Sequence, residues 1–292
     1  MIPNRKALVF IGLLVIAGAV QAATFINTCP FIISTPGDYL LSADLLCPGG
    51  GTGITITSSH VTLKLEGHTI IPAVGSSSGS AISNFSSGIT GTPVVDVHIL
   101  GPGLIMGGAV NSFSFGVSLV GSVTDSEVSG LTVRGSRVAG INADGQAPGT
   151  TGLTFTKNTL AGGNWGILVT NLTSSTISEN DASGNFIGIQ ISNEGVTGPP
   201  ITFSRNIVNG NTNTGVIIDT GFVTAQKNVV SGNGVVGIDV LASQLGVTIA
   251  LEVTGNTSLA NGTVDLNDAV PGCTGSVWSG NKFFTRNQSC ID

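Results

Sequence analysis

A few ionisable side chains in the first half of the chain are of the types that proton transfer requires. Lys64, His98 and Glu127 each stand four residues before a position that recurs along the chain, which we call the marker. Asp96 stands two residues before His98, and Asp125 stands two residues before Glu127. The markers of these three coils are His68, Pro102 and Leu131. If equivalent positions stack on parallel strands, roughly 5 Å apart, His98 lies between a cation and an anion and can exchange a proton near neutral pH. The spacing therefore predicts a catalytic patch of Lys64, His98 and Glu127. A surface salt ladder that only favours correct stacking would use the same residues, so that interpretation stays open.

Further polar residues near this patch indicate how an acidic ligand would be held. Arg134 and Arg137 follow in the next turn and, like the lysine of the patch, could neutralise a sugar carboxylate and so acidify the neighbouring C–H. Asp96 and Asp125 complete the expected substrate-binding set, and with Glu127 they could instead hold a bridging Ca²⁺. We expect ligands at the first three aligned repeats, with no cofactor required and Ca²⁺ as an optional one.

A second acidic set is a minor metal candidate. Asp239 and Asp265, with Asp219 nearby, lie on strands that follow a repeat glycine, and their carboxylates would bind Ca²⁺ if they faced outward. The repeated aspartate signature of calcium-binding β-rolls is missing.

Asparagines mark an internal repeat. They recur every 22 to 28 residues at Asn158, Asn180, Asn206, Asn228, Asn256 and Asn281. Most are followed by a second asparagine (Asn164, Asn185, Asn211 and Asn233) and then by a glycine and a short apolar strand. A period in this range is typical of a solenoid. Stacked amides at a turn explain the column from Asn158 to Asn281, and a row that grips sugar is the alternative.

Strand patterning shows which solenoid this is. Apolar residues alternate with Thr, Ser or charged residues before the marker, as in Leu63 and Leu65 or Ile201 and Phe203. No stretch beyond the N-terminal segment sustains a helical period. The chain is therefore predicted to be all-β, a single-stranded parallel β-helix of about nine or ten coils.

Composition excludes several other classes. Charged residues make up 9% of the 292 residues and hydrophobic residues 41%, which does not fit a disordered chain or a coiled coil. The net charge of −6 makes nucleic acid an unexpected partner.

The chain ends have their own signals. Residues 1–22 carry Arg5 and Lys6, an apolar run and a small-residue site, which predicts a signal peptide and hence a secreted or periplasmic protein without a membrane span after cleavage. We divide the rest into an N-terminal cap (23–53), the repeats (54–270) and a C-terminal coil and cap (271–292).

Four cysteines lie in one pair at each end. Loop closure favours the local disulfides Cys29–Cys47 and Cys273–Cys290 over the other two connectivities. Such bonds would pin the ends of a solenoid.

A column of threonines is predicted on the outward face of the later coils. Thr154, Thr176, Thr202 and Thr224 occupy it, beside a second column that decays to Gln226. Threonine ladders occur in ice-binding proteins, but outward threonine is also a common strand residue.

The segment from Val61 to Ile70 and the later Asn-x-x-Gly-Ile units resemble the right-handed parallel β-helix proteins with NosD-like repeats, within the pectate-lyase-like superfamily. The resemblance covers residues 54–284 and implies the right hand of the coil. It also implies two kinds of function, because this fold serves carbohydrate lyases and epimerases as well as tailspikes and adhesins.

Two functions are therefore expected. The first is an exported protein whose lateral face binds an extended, acidic polysaccharide or cell-surface glycan, with lyase or epimerase chemistry at the patch. The second is a non-catalytic solenoid for adhesion, surface assembly or periplasmic binding. The aspartate cluster of polygalacturonases and the Asp-Pro-His-Glu motif of alginate epimerases are both absent from the sequence.

Overall fold

The computed structural model describes residues 22–48, 50–73, 79–85, 93–107, 111–145, 150–193, 198–219, 221–241 and 250–292. The first half of the chain contains the strands β1 (Thr24–Ile26), β2 (Phe31–Ile33), β3 (Gly37–Leu41), β4 (Leu45–Cys47), β5 (Ile54–Ile56), β6 (Val61–Lys64), β7 (Thr69–Pro72), β8 (Ser80–Phe85), β9 (Val94–Val95), β10 (Val97–Met106), β11 (Phe115–Val120), β12 (Val123–Thr124), β13 (Glu127–Arg134) and β14 (Ala139–Asp144). The second half contains β15 (Thr154–Thr156), β16 (Thr159–Ala161), β17 (Trp165–Thr170), β18 (Thr176–Ser178), β19 (Ile187–Ser192), β20 (Ile201–Ser204), β21 (Val216–Asp219), β22 (Phe222–Gln226), β23 (Val229–Ser231), β24 (Val236–Leu241), β25 (Ala250–Thr254), β26 (Thr257–Leu259), β27 (Val264–Asp268), the 3-10 helix η1 (Pro271–Cys273) and β28 (Ser276–Ser279).

These strands stack as a parallel β-helix. One sheet has 14 strands and follows the path β1-β3-β6-β10-β13-β15-β18-β20-β22-β25-β28, and a second has ten strands in the order β2-β5-β8-β11-β14-β17-β19-β21-β24-β27. Each neighbour in these orders belongs to the next coil, because every crossover returns the chain to the same sheet. The prediction of an all-β solenoid of about nine or ten coils is confirmed, and η1 is the one helix within the described ranges.

The core runs along the inside of the coils. Leu63, Ile99, Val128, Phe155 and Ile177 face one another in register and are fully buried. Each such side chain contributes roughly 1.5–3 kcal/mol of transfer free energy. The period-two pattern of the sequence therefore identified the inward positions.

The first asparagine column forms a buried ladder. Asn206 Oδ1 accepts from the backbone N and from Nδ2 of Asn180, both at 3.0 Å, and Asn206 Nδ2 donates to Ile177 O at 2.9 Å. Asn228, Asn256 and Asn281 continue the pattern. The residue before each asparagine, rather than the asparagine itself, takes the left-handed conformation, as at Arg205 (φ 56°).

The second asparagines of the repeat also form a ladder, except for Asn164. Asn185 N donates to Asn211 Oδ1, and Asn211 bonds to Asn233 in the same way. Gly163 holds the next position, since its N donates to Asn185 Oδ1 at 3.0 Å. Asn164 is therefore one residue beyond the ladder and is exposed.

Both ends carry the predicted disulfides, Cys29–Cys47 and Cys273–Cys290. Strands β1 to β4, within the segment assigned to a cap, already pair in parallel with β3, β5, β6 and β7. Almost the whole predicted signal peptide, residues 1–21, lies outside the described residues. No helix in the described ranges is long and apolar enough to cross a membrane.

Candidate functional site

Two histidines and two carboxylates form a continuous row on the outward face of three coils. His60 Nδ1 lies 2.9 Å from Asp96 Oδ2, Asp96 Oδ1 lies 2.8 Å from His98 Nε2, and His98 Nδ1 lies 3.3 Å from Glu127 Oε2. We call these four residues the histidine row. It is the largest connected set of ionisable side chains among the described residues.

The solenoid positions each member of the row. His98 and Glu127 face one another across the parallel pair of β10 and β13. His60 and Asp96 occupy the left-handed turn positions that precede β6 and β10, with φ values of 56° and 60°. The turns repeat because the coils repeat, so His60 and Asp96 lie side by side.

Hydrogen bonds from His60 and His98 hold the pKa of the Asp96 carboxyl below its ordinary value of 3.8, and they outweigh the small opposing effect of burial. Asp96 is therefore an ionised acceptor at neutral pH. A neutral His60 that donates from Nδ1 has its proton fixed there, so its lone pair is on Nε2. The His60 side chain is 66% exposed, so Nε2 is accessible to a ligand.

His98 has no such free nitrogen. Both of its ring nitrogens face carboxylates, Asp96 and Glu127. A neutral imidazole can donate to only one of the two, whereas the imidazolium form donates to both. His98 is thus suited to link the two carboxylates.

Lys64 does not share the column of His98 and Glu127, and that part of the predicted patch is wrong. Thr62 faces His98, and Lys64 faces Leu100. The turn between the strand and the recurring position is two residues longer in this coil, because residues 65–67 follow Lys64, whereas Gly101 alone follows Leu100 and Gly130 alone follows Ser129. Lys64 is a diagonal neighbour of His98 on the same face, at a Cα separation of roughly 7–8 Å.

The sequence places Thr62 in one column with Asp96 and Asp125, but the structure places His60 there. The register places both beside the left-handed turn position of His60. Asp125 is exposed and does not bond to the row. Sequence reasoning missed His60 because it precedes its strand; an alignment of the turns with the residue pattern His60, Asp96 and Asp125 would have found it.

The arginines of the predicted substrate site lie elsewhere. Arg134 and Arg137 are exposed and follow the left-handed bend at Gly130 (φ 68°), which separates them along the coil from Glu127. Arg137 Nη2 donates to Ser114 Oγ at 3.2 Å. The structure therefore brings His98, Glu127 and Asp96 together and leaves the two arginines apart from them.

The two aspartates of the predicted metal site lie in different columns. Asp239 faces Asn267 and accepts from its Nδ2 at 2.6 Å, whereas Asp265 is fully buried in a different column. Burial of the half-buried Asp239 raises the pKa of its carboxyl. No group of three His, Cys, Asp or Glu side chains within the described ranges is arranged to hold a metal ion.

Asp265 has a structural role instead. It terminates the second asparagine ladder by accepting from Asn261 N and Nδ2 and from the backbone N of Phe284 and Thr285. Burial alone would raise the pKa of Asp265, but these four donors together lower it below its ordinary value.

The threonine column exists as predicted. Thr154, Thr176, Thr202 and Thr224 face one another in register. Two of the four members of the adjacent column are covered, because Ser178 and Ser204 are 8% and 6% exposed. The surface therefore offers one half-exposed rank of threonine hydroxyls.

Stacked parallel strands with buried asparagine ladders define a β-helix protein. The chain belongs to the family described as the right handed beta helix region, whose model matches residues 109–258. This match establishes the right hand of the coil that the resemblance implied. No curated protein matches the chain.

Solved structures share this fold at low identity. The Dettilon tailspike protein gp208 is 16% identical with a TM-score of 0.58, and the alignment covers 92% of this chain and 60% of the tailspike. A tailspike mutant of Escherichia coli bacteriophage HK620 in complex with a pentasaccharide is 14% identical (TM-score 0.59, coverage 88% and 58%). The A-module of Azotobacter vinelandii mannuronan C-5 epimerase AlgE6 is 11% identical (TM-score 0.56, coverage 92% and 86%). The chain thus spans about three fifths of the length of the two tailspikes.

Proposed function

We propose that this protein is an exported polysaccharide-binding β-helix whose histidine row transfers protons on the bound glycan, as a lyase or an epimerase does. The observation that carries the proposal is the His60–Asp96 pair, with Nδ1 and Oδ2 2.9 Å apart and Nε2 of His60 exposed. A carboxylate that fixes the tautomer of an exposed imidazole is a common arrangement for a general base.

The reaction would proceed from the acidity of a uronate C–H. His60 Nε2 takes the proton next to the sugar carboxylate, and the ammonium group of Lys64, on the same face, stabilises the charge that develops on the carboxylate. In a lyase the electron pair of the broken C–H bond forms a carbon–carbon double bond and expels the glycosidic oxygen, which takes a proton from water. In an epimerase no bond to oxygen breaks, and a water molecule on the opposite side of the ring returns a proton to the same carbon. No metal enters this scheme.

Two further observations support glycan binding outside the cytoplasm. The fold accommodates such ligands, since one of the similar solved structures holds a pentasaccharide and another is a mannuronan epimerase. Disulfides at both ends favour an oxidising compartment, as does the leader-like composition of residues 1–22. We place the mature protein in the periplasm or outside the cell.

A glycan array followed by an absorbance assay for unsaturated uronate, and by NMR for epimerised residues, tests the proposal. We expect binding of an acidic polysaccharide and a loss of turnover of about 100-fold or more in His60→Ala, the usual scale for removal of a general base. His68→Ala is the matched control, because His68 also pairs with an aspartate, Asp44, at 3.4 Å but lies outside the row. Its turnover should match that of the native protein.

The non-catalytic solenoid is the competing function. Binding without any turnover would favour a role in adhesion or surface assembly. If His60→Ala and His98→Ala retain full binding and turnover, the row is a salt ladder and the proposal is wrong.

A further inference from the structure

A groove lies at the corner of the solenoid that follows β13. It has a volume of about 460 Å³ and is lined by Ser112, Ser136, Arg137, Asn164 and three glycines. This volume falls within the range of small-molecule sites, roughly 300–1,000 Å³. The bends at Gly130 and Gly135 separate the groove from Glu127, the nearest member of the histidine row along the chain.

The groove exists because the second asparagine ladder stops there. Asn185 and Asn211 occupy the corner in the later coils, whereas Gly163 and Ser136 occupy the equivalent positions at the groove. Gly162 precedes this corner with a φ of 75°, a conformation that a side chain other than glycine adopts only with strain. Glycine and serine are smaller than asparagine, and this difference in side-chain volume leaves room for the groove at the corner.

Arg137 supplies a fixed positive charge at this groove. Its backbone N donates to Phe113 O at 2.8 Å, and its Nη2 donates to Ser114 Oγ at 3.2 Å. The guanidinium has five N–H donors, so four are left for a ligand. Among the described residues no carboxylate lies within 4.0 Å of it. In a chain with a net charge of −6, an arginine without an acidic partner beside a groove favours an anionic ligand.

An exposed aromatic side chain stands next to the groove. Phe186 occupies the position equivalent to Asn164 on the next coil, and its backbone N donates to Gly163 O at 3.0 Å. Phe186 is 47% exposed, so its ring has an open face. An aromatic face beside hydroxyl, amide and guanidinium donors suits a ligand that has both an apolar ring face and a carboxylate.

We propose that the Arg137 groove binds a carboxylate-bearing sugar residue of an acidic glycan, at a site separate from the histidine row. The guanidinium pairs with the carboxylate in the planar two-point geometry that arginine offers. Ser112 and Asn164 bond to the sugar hydroxyls, and Phe186 covers one face of the ring. The inference does not depend on the proposed function, because a glycan can bind here whether or not the row is catalytic.

Titration calorimetry on the mature protein tests this site with four probes: a galacturonate oligosaccharide, a mannuronate oligosaccharide, a neutral galactose oligosaccharide and sodium acetate. We expect at least one uronate to bind, with an affinity that falls as salt is added. Arg137→Ala should weaken that binding at least tenfold, and Arg137→Lys should fall in between, because lysine retains the charge without the planar fork. Phe186→Ala should weaken binding of the uronate oligosaccharide and leave the binding of acetate unchanged.

The matched control is Arg134→Ala. Arg134 is exposed and three residues earlier but does not line the groove, so its loss should change affinity less than twofold. His60→Ala should also leave groove binding unchanged, which separates this site from the proposed function. Acetate that binds as tightly as a uronate, neutral galactose that binds equally well, or unchanged uronate binding in Arg137→Ala would each overturn the proposal.

Discussion

His60 and Asp96 are 36 positions apart in the sequence, yet His60 Nδ1 lies 2.9 Å from Asp96 Oδ2. Both residues occupy the same left-handed turn position on successive coils. The stacking of the solenoid therefore creates this contact, and the same stacking adds His98 and Glu127 to form the histidine row.

The first prediction concerns the ionisation of Asp96. Because the hydrogen bonds from His60 and His98 lower its pKa, carboxyl ¹³C NMR should show titration below 3.8. His60→Ala should move the midpoint back toward 3.8, and His68→Ala should leave it unchanged. The ionised, hydrogen-bonded carboxylate of Asp96 stabilises the folded protein at pH values above the ordinary pKa. This stabilisation is lost as the pH falls through the midpoint of the folded protein. Because Asp96 is nearly half exposed, we expect little effect on the melting temperature.

The second prediction concerns the asparagine ladder. Asn206→Ala removes the acceptor of Asn180 and leaves Ile177 O without its amide donor. Buried groups without partners should cost roughly 3 kcal/mol, which corresponds to a decrease in Tm of about 6–10 °C. Thermal denaturation followed by circular dichroism measures this, with the exposed Asn164→Ala as control. Equal Tm values for both variants would show that the ladder does not stabilise the fold.

The third prediction concerns the end of the second ladder. Asp265 accepts hydrogen bonds from four N–H groups, and Asp265→Asn turns an NH₂ group toward two of them. The free energy of unfolding at pH 7 should therefore fall by about 2 kcal/mol. The lowered pKa means that the native stabilisation is present above 3.8 and is lost in acid. Urea denaturation at several pH values should therefore show the variant and the native protein converging at low pH. A constant difference would contradict the ionised form of Asp265.

The fourth prediction concerns Asp239, whose pKa is shifted in the opposite direction. Burial raises the pKa of Asp239, so its contribution to stability is full below 3.8 and is lost as the pH rises through the folded midpoint. Asp239→Asn removes the cost of burying an ionised carboxylate, and the new amide oxygen still accepts from Asn267. We expect a Tm higher by about 1–3 °C at pH 7 and no gain in acid. The exposed Asp38→Asn is the control and should not change Tm.

Turn lengths explain why the candidate site was only partly predictable. His98 and Glu127 were paired correctly because the offset between their coils equals the marker spacing. Lys64 was misplaced by two residues because its turn is longer, and His60 was overlooked because its position belongs to a turn. The alternation of apolar and polar residues predicts that Asp265 faces outward, but a corner of the coil turns its side chain inward, where it ends the second ladder.

The sequence by itself determined the solenoid, its inward apolar columns, its first asparagine ladder and its two disulfides, because these depend on periodic patterns and on local loop closure. Where the turns differ in length from coil to coil, only the tertiary structure decided which outward side chains meet. The packing of inward residues such as Leu63, Ile99 and Val128 fixes the register of the coils, and turns of different length take up the difference. Equal spacing along the chain therefore does not mean equal position in space, and the histidine row and the Arg137 groove follow from that difference.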